Sequence, residues 1–340
     1  MKKILFVIMM LGVPFGMNAQ KSDVTRETTV YSVIGKDTLK MDTYIKSGAE
    51  VPPQGRPVIM YVHGGGFTAG SRVVAAQEFY LRYMAEHGWL AIAVDYRLAG
   101  TGNKPDGKVE KITDLKDGIN AVRIAAADVV DATNFVLRQR EWKADPTKFC
   151  LGGGSAGAMI VLQTVYDACN DEPYTQKLPK DFAYAGVISQ AGCITIRPQQ
   201  QSLAWKKKPC PMMLFHGTED FSVPLGILDT DYRYVGTLPI VRQLEAMDVP
   251  YWKWIEHGAD HIIAMTTLSN YLEEQYRFLH DFVEQGIQTS VNTEVRDKVP
   301  VNMASVEAMI KYAPLYILGY GKYLDQMDWN NLPKPGSVVY

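Results

Sequence analysis

The segment Lys148-Phe149-Cys150-Leu151-Gly152-Gly153-Gly154-Ser155-Ala156-Gly157-Ala158-Met159 surrounds one serine with glycines. An apolar run opens it, and the apolar segment Ile160 to Ala168, which predicts a helix, follows it. Gly-x-Ser-x-Gly between a strand and a helix predicts a sharp turn that exposes the Ser155 hydroxyl as a nucleophile. An ordinary glycine-rich loop is the alternative, and the elements on both sides favour the nucleophile. The turn also places Ser155 at a helix N-terminus, where free N–H groups favour developing negative charge.

Apolar runs and helical patterns alternate on both sides of this segment. Strand and helix follow one another from Val58 to Gln285 without a break, which predicts an α/β fold with one doubly wound, mostly parallel sheet and helices on both faces. An antiparallel hairpin, Thr29 to Ile34 and Thr38 to Ile45, is predicted ahead of it. The remaining predicted strands are 58–62, 90–94, 183–189, 211–215 and 251–255, and the helices are 75–87, 114–141, 238–247 and 270–285. Residues 191–208 are predicted to be irregular and to contribute to a cap.

The two ends of the chain differ from this middle part. Met1-Lys2-Lys3, an apolar stretch and Ala19 have the layout of a secretory signal peptide, so residues 1–19 are predicted to be cleaved and the protein to be secreted or periplasmic. The apolar stretch is too short to span a membrane. Residues 20–288 are predicted to form the catalytic domain. Residues 289–340 are predicted to be a C-terminal extension packed on the core or on a partner subunit, as in a homodimer.

Composition excludes several classes of partner. The formal net charge is −2, and the run Lys206-Lys207-Lys208 is expected to be a solvated loop, with a binding patch as the alternative, so neither nucleic acid nor a membrane surface is an expected partner. The cysteines Cys150, Cys169, Cys193 and Cys210 are scattered, and the sequence leaves their pairing open. No His, Asp or Cys cluster has the spacing of metal ligands, so neither a metal nor a cofactor is predicted.

Two further polar clusters follow predicted strands. Asp220 comes after the strand 211–215, and His261 after the strand 251–255. Polar groups at the carboxyl ends of parallel strands meet at one edge of the sheet, so Ser155, Asp220 and His261 are expected to come together in the chain order Ser, Asp, His. His261 would take the serine proton as general base, and Asp220 would orient its imidazole. Glu219 and Asp260 are alternatives to Asp220, and His257 is an alternative to His261.

A second glycine-rich motif, His63-Gly64-Gly65-Gly66-Phe67, directly follows the strand 58–62. Its backbone N–H groups, together with that of Ala156, can stabilise the oxyanion of a tetrahedral intermediate. A phosphate-binding loop is the alternative, but no Gly-Lys-Ser/Thr follows. His63 is expected to brace the loop by hydrogen bonding.

These motifs together resemble the α/β-hydrolase superfamily, specifically the His-Gly-Gly-Gly esterases related to hormone-sensitive lipase and the bacterial carboxylesterases. The resemblance rests on residues 63–67, Val94-Asp95-Tyr96-Arg97-Leu98, residues 153–157, Asp220 and His261. It implies a catalytic triad of Ser155, Asp220 and His261, and an oxyanion hole formed by Gly65, Gly66 and Ala156. It also implies that residues 95–97 are structural.

The same resemblance implies a serine carboxylesterase that acts through an acyl-enzyme without a cofactor. Acetyl or feruloyl esters of carbohydrate, or small aryl and alkyl esters, are the expected substrates. One alternative is a serine peptidase of the prolyl-oligopeptidase type, although the chain has no room for the propeller domain of those enzymes. The other is a binding protein with a hydrolase fold and no activity, which would commonly lack one member of the triad.

Overall fold

A computed structural model of the protein describes residues 23–99, 115–197, 199–230 and 232–296. The predicted signal peptide, 1–19, and most of the predicted extension, 297–340, lie outside these ranges. The described strands are β1 (Val24–Ile34), β2 (Asp37–Lys46), β3 (Arg56–Val62), β4 (Leu90–Val94), β5 (Ala144–Gly154), β6 (Gly186–Gln190), β7 (Ile194–Ile196), β8 (Met212–Gly217), β9 (Ile227–Asp229), β10 (Arg233–Val235), β11 (Tyr251–Glu256) and β12 (Ser290–Val295). The α-helices are α1 (Ala75–Glu86), α2 (Leu115–Arg138), α3 (Ala156–Cys169), α4 (Thr237–Ala246), α5 (Ile263–Asn270) and α6 (Leu272–Phe278).

Nine of these strands form one sheet in the order β1-β2-β4-β3-β5-β6-β8-β11-β12. The pairs β1/β2 and β2/β4 are antiparallel, and the remaining pairs are parallel. The predicted fold class, a mostly parallel sheet with an antiparallel N-terminal hairpin, is therefore confirmed. Because the parallel strands share one direction, the segments after β3, β5, β8 and β11 all leave the sheet at the same edge.

Helices cover both faces of the sheet. Along β3, Val58, Met60 and Val62 belong to one apolar core with α2, α3 and α4. Ile59 and Tyr61, which point the other way, belong to a second core with α1, α5 and α6. This alternation with period two explains why a strand between two helical layers is a continuous apolar run in the sequence. Within the described residues, no helix is long and apolar enough to cross a membrane.

Several elements depart from the sequence-based predictions. The segment 191–208, predicted to be irregular, contains β7, which joins β10 and β9 in a small second sheet. The helix predicted at 270–285 is present as α6, which continues as a π-helical segment from Leu279 to Glu284. The backbone leaves the helical region at Tyr271 (φ −129°, ψ 42°), so α5 before it is a separate helix that was not predicted. Residues 290–295, the start of the predicted extension, form the edge strand β12 beside β11. A strand of three residues, or a polar edge strand, leaves no distinctive apolar run in a sequence.

Candidate active site

The turn around Ser155 joins β5 directly to α3. Ser155 has φ 55° and ψ −124°, a strained backbone conformation for a residue with a side chain. A Cβ atom on Gly157 would lie 2.0 Å from the carbonyl oxygen of Val62, and one on Gly153 would lie 2.5 Å from the carbonyl of Gly157. Glycine is required at both positions because the end of β3, the end of β5 and the start of α3 touch there. The turn therefore packs directly against the end of β3.

Buried polar side chains support this turn from below. The N–H of Ser155 donates to the carbonyl of Gln190 at the end of β6 (2.9 Å). The Gln190 side chain accepts a hydrogen bond from the Tyr61 hydroxyl (2.6 Å) and donates to Gln275 on α6 (2.8 Å). The Gln275 amide nitrogen donates in turn to the carbonyl of Thr267 (2.8 Å). Buried polar groups that are fully paired in this way rigidify a core, so the network fixes β3, β6 and α6 around the serine.

The structure brings Ser155, His261 and Asp220 together. The Ser155 hydroxyl lies 2.7 Å from Nε2 of His261, and Nδ1 of His261 lies 2.8 Å from Oδ2 of Asp220. A carboxylate only accepts hydrogen bonds, so Nδ1 carries the proton and Nε2 is free to accept that of the serine. Hydroxyl, imidazole and carboxylate therefore form one continuous hydrogen-bonded chain across the carboxyl edge of the sheet.

Asp220 is fixed in this chain by its own turn. Its side chain is fully buried, and Oδ1 accepts the N–H groups of Ser222 and Val223, both at 2.9 Å. Burial alone would raise the pKa of Asp220, but the hydrogen bonds from His261 and from these two N–H groups hold the pKa below its ordinary value. The carboxylate is thus kept ionised and aimed at the imidazole.

A second histidine lies behind Asp220, and the sequence reasoning missed its role. His216 is buried at the end of β8, where Nε2 donates to the carbonyl of Val223 (3.1 Å) and Nδ1 accepts from the hydroxyl of Thr237 (2.9 Å). Its Nε2 lies 3.5 Å from Oδ2 of Asp220. Burial lowers the pKa of His216, which favours the neutral ring. The ring therefore holds the Asp220–Val223 turn from the inside. A polar residue at the end of an apolar run was its only sequence signal.

The alternative residues lie elsewhere. Glu219 is exposed, and Asp260 uses Oδ1 to accept the N–H of Ile262 (2.9 Å). His257 points to the sheet edge, where Nε2 lies 2.6 Å from Oε2 of Glu294 on β12. None of these alternatives contacts Ser155.

The glycine loop after β3 lies against the serine. A Cβ atom on Gly64 would lie 3.2 Å from the Cβ of Ser155. Gly65 (φ 120°) and Gly66 (φ 59°) are exposed, and both have backbone conformations that favour glycine. Within the described ranges, the N–H groups of Gly65, Gly66 and Ala156 have no backbone acceptor. They belong to the two segments that meet at Ser155, the loop after β3 and the start of α3.

His63 braces this loop. Its Nδ1 donates to the carbonyl of Gly64 (2.7 Å), and its ring stacks on that of Tyr96 at 4.4 Å. The Tyr96 hydroxyl donates to the carbonyl of His63 (3.2 Å). Burial lowers the pKa of His63, so the neutral ring is favoured here too.

The residues on either side of Tyr96 anchor the end of β4. Asp95 accepts the backbone N–H of Arg72 (3.1 Å) and forms an ion pair with its guanidinium (2.8 Å). Arg97 makes charge-assisted hydrogen bonds to Asp128 on α2, the shortest at 2.6 Å. Residues 95–97 thus connect the glycine loop after β3 to the helix α2 through structural contacts.

No group of three or more His, Cys, Asp or Glu side chains suited to a metal ion occurs in the described part of the chain. The four cysteines are free thiols. The site presents a hydroxyl hydrogen-bonded to an oriented imidazole, and backbone N–H groups beside it. The sheet order and the helices on both faces are those of the α/β-hydrolase fold, and its polar site is centred on a serine.

The comparisons with known proteins agree with this class. Residues 59–208 match the family model of the alpha/beta hydrolase fold. Esterase B from Lactobacillus rhamnosus superposes with a TM-score of 0.54 at 15% sequence identity, over 78% of this chain and 88% of the esterase. At that identity the superposition shows the fold alone.

Two curated relatives share part of their sequence with this chain. The non-reducing polyketide synthase atr1 of Stereocaulon alpinum is 29% identical over 145 residues, which are 43% of this chain and 5% of the synthase. Human arylacetamide deacetylase-like 2 is 29% identical over 126 residues, which are 36% of this chain and 27% of the human protein. The chain thus covers less than a third of either relative.

Proposed function

We propose that this protein is a serine esterase that hydrolyses carboxylic esters through an acyl-enzyme. The observation that carries the proposal is the unbroken chain of short contacts from the Ser155 hydroxyl through His261 to Asp220. Two similar proteins support the proposal: one is named arylacetamide deacetylase-like 2, and the superposed structure is esterase B.

The roles follow from the geometry. His261 takes the serine proton as the hydroxyl attacks the ester carbonyl, and Asp220 stabilises the imidazolium that forms. The tetrahedral oxyanion is bound by the N–H groups of Gly65, Gly66 and Ala156. Loss of one such donor typically costs roughly 3 kcal/mol of transition-state stabilisation. His261 then returns the proton to the leaving alcohol, and the acyl group stays on Ser155. Water, deprotonated by His261, next attacks this acyl-enzyme and releases the acid and the free serine.

Apolar side chains next to the site support esters with an apolar part. Phe221, which follows Asp220, is 89% exposed, and Ile262, which follows His261, is 39% exposed. Exposed apolar groups beside a catalytic site commonly bind the substrate. We therefore propose small alkyl or aryl esters, including acetyl and feruloyl esters of carbohydrate, as the substrate class.

The decisive test uses purified protein and three substrates. Hydrolysis of p-nitrophenyl acetate by the wild type, lost in Ser155→Ala, would support the proposal, whereas an inactive wild type would contradict it and favour a binding protein. Methyl ferulate would test the aryl part. Preferential cleavage of Gly-Pro-p-nitroanilide would contradict the esterase proposal and indicate a peptidase.

We further propose export from the cytoplasm, supported by the basic and apolar layout of residues 1–19. N-terminal sequencing of protein expressed in a bacterial host tests it, and an intact Met1 in the exported fraction would contradict cleavage near Ala19.

The proposed packing of the extension on a partner subunit predicts a homodimer in light scattering. A monomer at all concentrations would contradict this packing and favour packing of the extension on the core of its own chain.

A further inference from the structure

A separate cavity of about 610 Å³ lies beside the far half of α3. Its wall residues on this helix run from Gln163 to Asn170, eight to fifteen positions after Ser155. At 1.5 Å per residue they lie about 12–22 Å along the helix from the nucleophile. The cavity is therefore distinct from the site described above, and its volume is within the range of small-molecule sites.

The floor of the cavity is a fixed polar layer. The Gln163 amide donates to Oδ1 of Asp167 (2.8 Å) and accepts the backbone N–H of Thr195 (2.9 Å). The hydroxyl of Tyr174 donates to Oδ2 of Asp167 (2.7 Å). Both carboxylate oxygens of Asp167 are therefore already occupied from within the protein.

The outer wall is a loop tied to the same helix. The N–H of Lys206 donates to the side-chain oxygen of Asn170 (3.2 Å), and that of Ala204 donates to the hydroxyl of Tyr166 (3.3 Å). The Trp205 ring stands edge-on to the Tyr166 ring at 4.8 Å. The cavity thus has a preformed aromatic wall.

Three cations on the wall have no close ion-pair partner among the described residues. In the described ranges, the side chains of Arg123, Arg197 and Lys206 make no hydrogen bond or ion pair with a carboxylate. Arg123 is half-buried, and its charge opposes the rise in the pKa of Asp167 that burial causes. Against these three cations the wall has two carboxylates, Glu172 and the occupied Asp167. The surplus positive charge favours an anionic ligand.

Two neutral polar groups on the wall also lack partners. Thr195 is 4% exposed and its hydroxyl has no hydrogen bond. The Trp205 side chain is half-buried, and its Nε1–H is buried without a hydrogen-bond partner. Unpaired buried groups of this kind are rare in folded proteins. A small adjustment of either side chain toward the cavity would pair it with a hydroxyl group of a ligand.

We propose that this cavity binds a small hydroxylated organic carboxylate, the chemistry of a sugar acid. The guanidinium groups of Arg123 and Arg197 take the carboxylate, because the planar fork of arginine matches its two oxygens. Thr195, Trp205 and the amide of Gln200 take the hydroxyl groups. The site neither uses nor depends on the catalytic serine.

The test is titration calorimetry of the full chain with galacturonate, galactose and propionate. Galacturonate is expected to bind, and galactose, which lacks the carboxylate, and propionate, which lacks the hydroxyls, are expected to bind at least tenfold more weakly. Absence of galacturonate binding would overturn the proposal. Equal binding of either control compound would overturn it too, since both features are required.

Variants locate the binding. Arg123→Gln and Arg197→Gln are each expected to weaken galacturonate binding at least tenfold, while Arg138→Gln, an exposed arginine of α2 outside the cavity, is expected to leave it unchanged. Arg197 is exposed, so its substitution tests the site even if Arg123→Gln does not fold. Wild-type affinity in folded Arg197→Gln and Arg123→Gln would place binding elsewhere and overturn the proposal.

Discussion

The catalytic edge and the cavity beside α3 differ in how their polar groups are paired. Around Ser155, the side chains of His261, Asp220, Gln190 and Gln275 all have partners within the protein. On the wall of the cavity, the Arg123 guanidinium and the hydroxyl of Thr195 make no hydrogen bond in the described part of the chain. The first arrangement is complete before a substrate arrives, as catalysis by preorganised groups requires. The second is completed only by a ligand.

The largest expected effect comes from the complete site. Ser155→Ala should lower kcat/KM for p-nitrophenyl acetate by roughly 10⁴-fold or more, because no neighbouring group replaces the nucleophile. The exposed Ser47→Ala is the matched control and should keep wild-type rates. If Ser155→Ala kept more than a tenth of the wild-type activity, Ser155 would not be the nucleophile and the hydrolysis would occur at another site.

The second largest effect is expected where Gly157 packs against Val62. Gly157→Ala should lower the free energy of unfolding by about 3 kcal/mol, since its Cβ would meet the carbonyl oxygen of Val62 at 2.0 Å. Gly226→Ala, whose Cβ would meet nothing within 4 Å, should change it by less than about 0.5 kcal/mol. Urea denaturation measures both, and equal losses would mean that the close packing at the turn is not rigid.

A smaller effect is expected on the pH dependence of stability. His216 and His63 both have pKa values lowered by burial, so below their unfolded pKa of about 6.5 the unfolded chain binds more protons than the folded one. Their contribution is full above pH 6.5 and is lost as pH falls toward their folded pKa values. Each contributes a slope of up to about 1.4 kcal/mol per pH unit in that window.

Unfolding in urea at pH 7.0, 6.5, 6.0 and 5.5 measures this slope. His216→Asn should reduce it, because the titrating group is gone. Thr237→Val removes only the hydroxyl partner of the ring and should retain the slope. An unchanged slope in His216→Asn would contradict a buried neutral ring behind Asp220.

The smallest effect contrasts two buried hydroxyl groups, one in each region. Tyr61→Phe should cost about 1–2 kcal/mol, because it leaves the side chain of Gln190 without its donor. Thr195→Val should change stability by less than about 0.5 kcal/mol, because its hydroxyl has no protein partner to lose. Denaturant melts of the two variants compare them directly, and a loss in Thr195→Val as large as in Tyr61→Phe would show that the hydroxyl is paired.

Much of the fold was predictable because buried strands and glycine turns leave strong local signals. The runs at 58–62 and 90–94 are strands because both faces are covered, and the predicted hairpin is β1 and β2. The small sheet of β7, β9 and β10 was not predictable, since strands of three residues are defined by their partners. The helix α5 was missed because eight residues rich in threonine and serine carry little helical pattern.

The site was predictable in its residue types and order, but not in its geometry. Chain order and strand ends point to Ser155, Asp220 and His261, whereas only the fold shows that Nε2 meets the hydroxyl at 2.7 Å. The motif that contains Asp220 begins at His216, but nothing in it indicates that the imidazole packs behind the carboxylate, and Gln190 at the end of an apolar strand has no motif. Their roles depend on partners from β3, α4 and α6 that are distant in sequence.

The contact between Gly157 and Val62 divides the catalytic machinery into two halves. The Ser155 hydroxyl, the proposed nucleophile, and the N–H groups after β3 lie on two segments held together by this contact, so their spacing depends on it. The imidazole and the carboxylate arrive on turns after β11 and β8, at the other side of the elbow. Adaptation to a bulkier ester should therefore come from residues around 221 and 262, while the hydroxyl and its oxyanion donors stay in place.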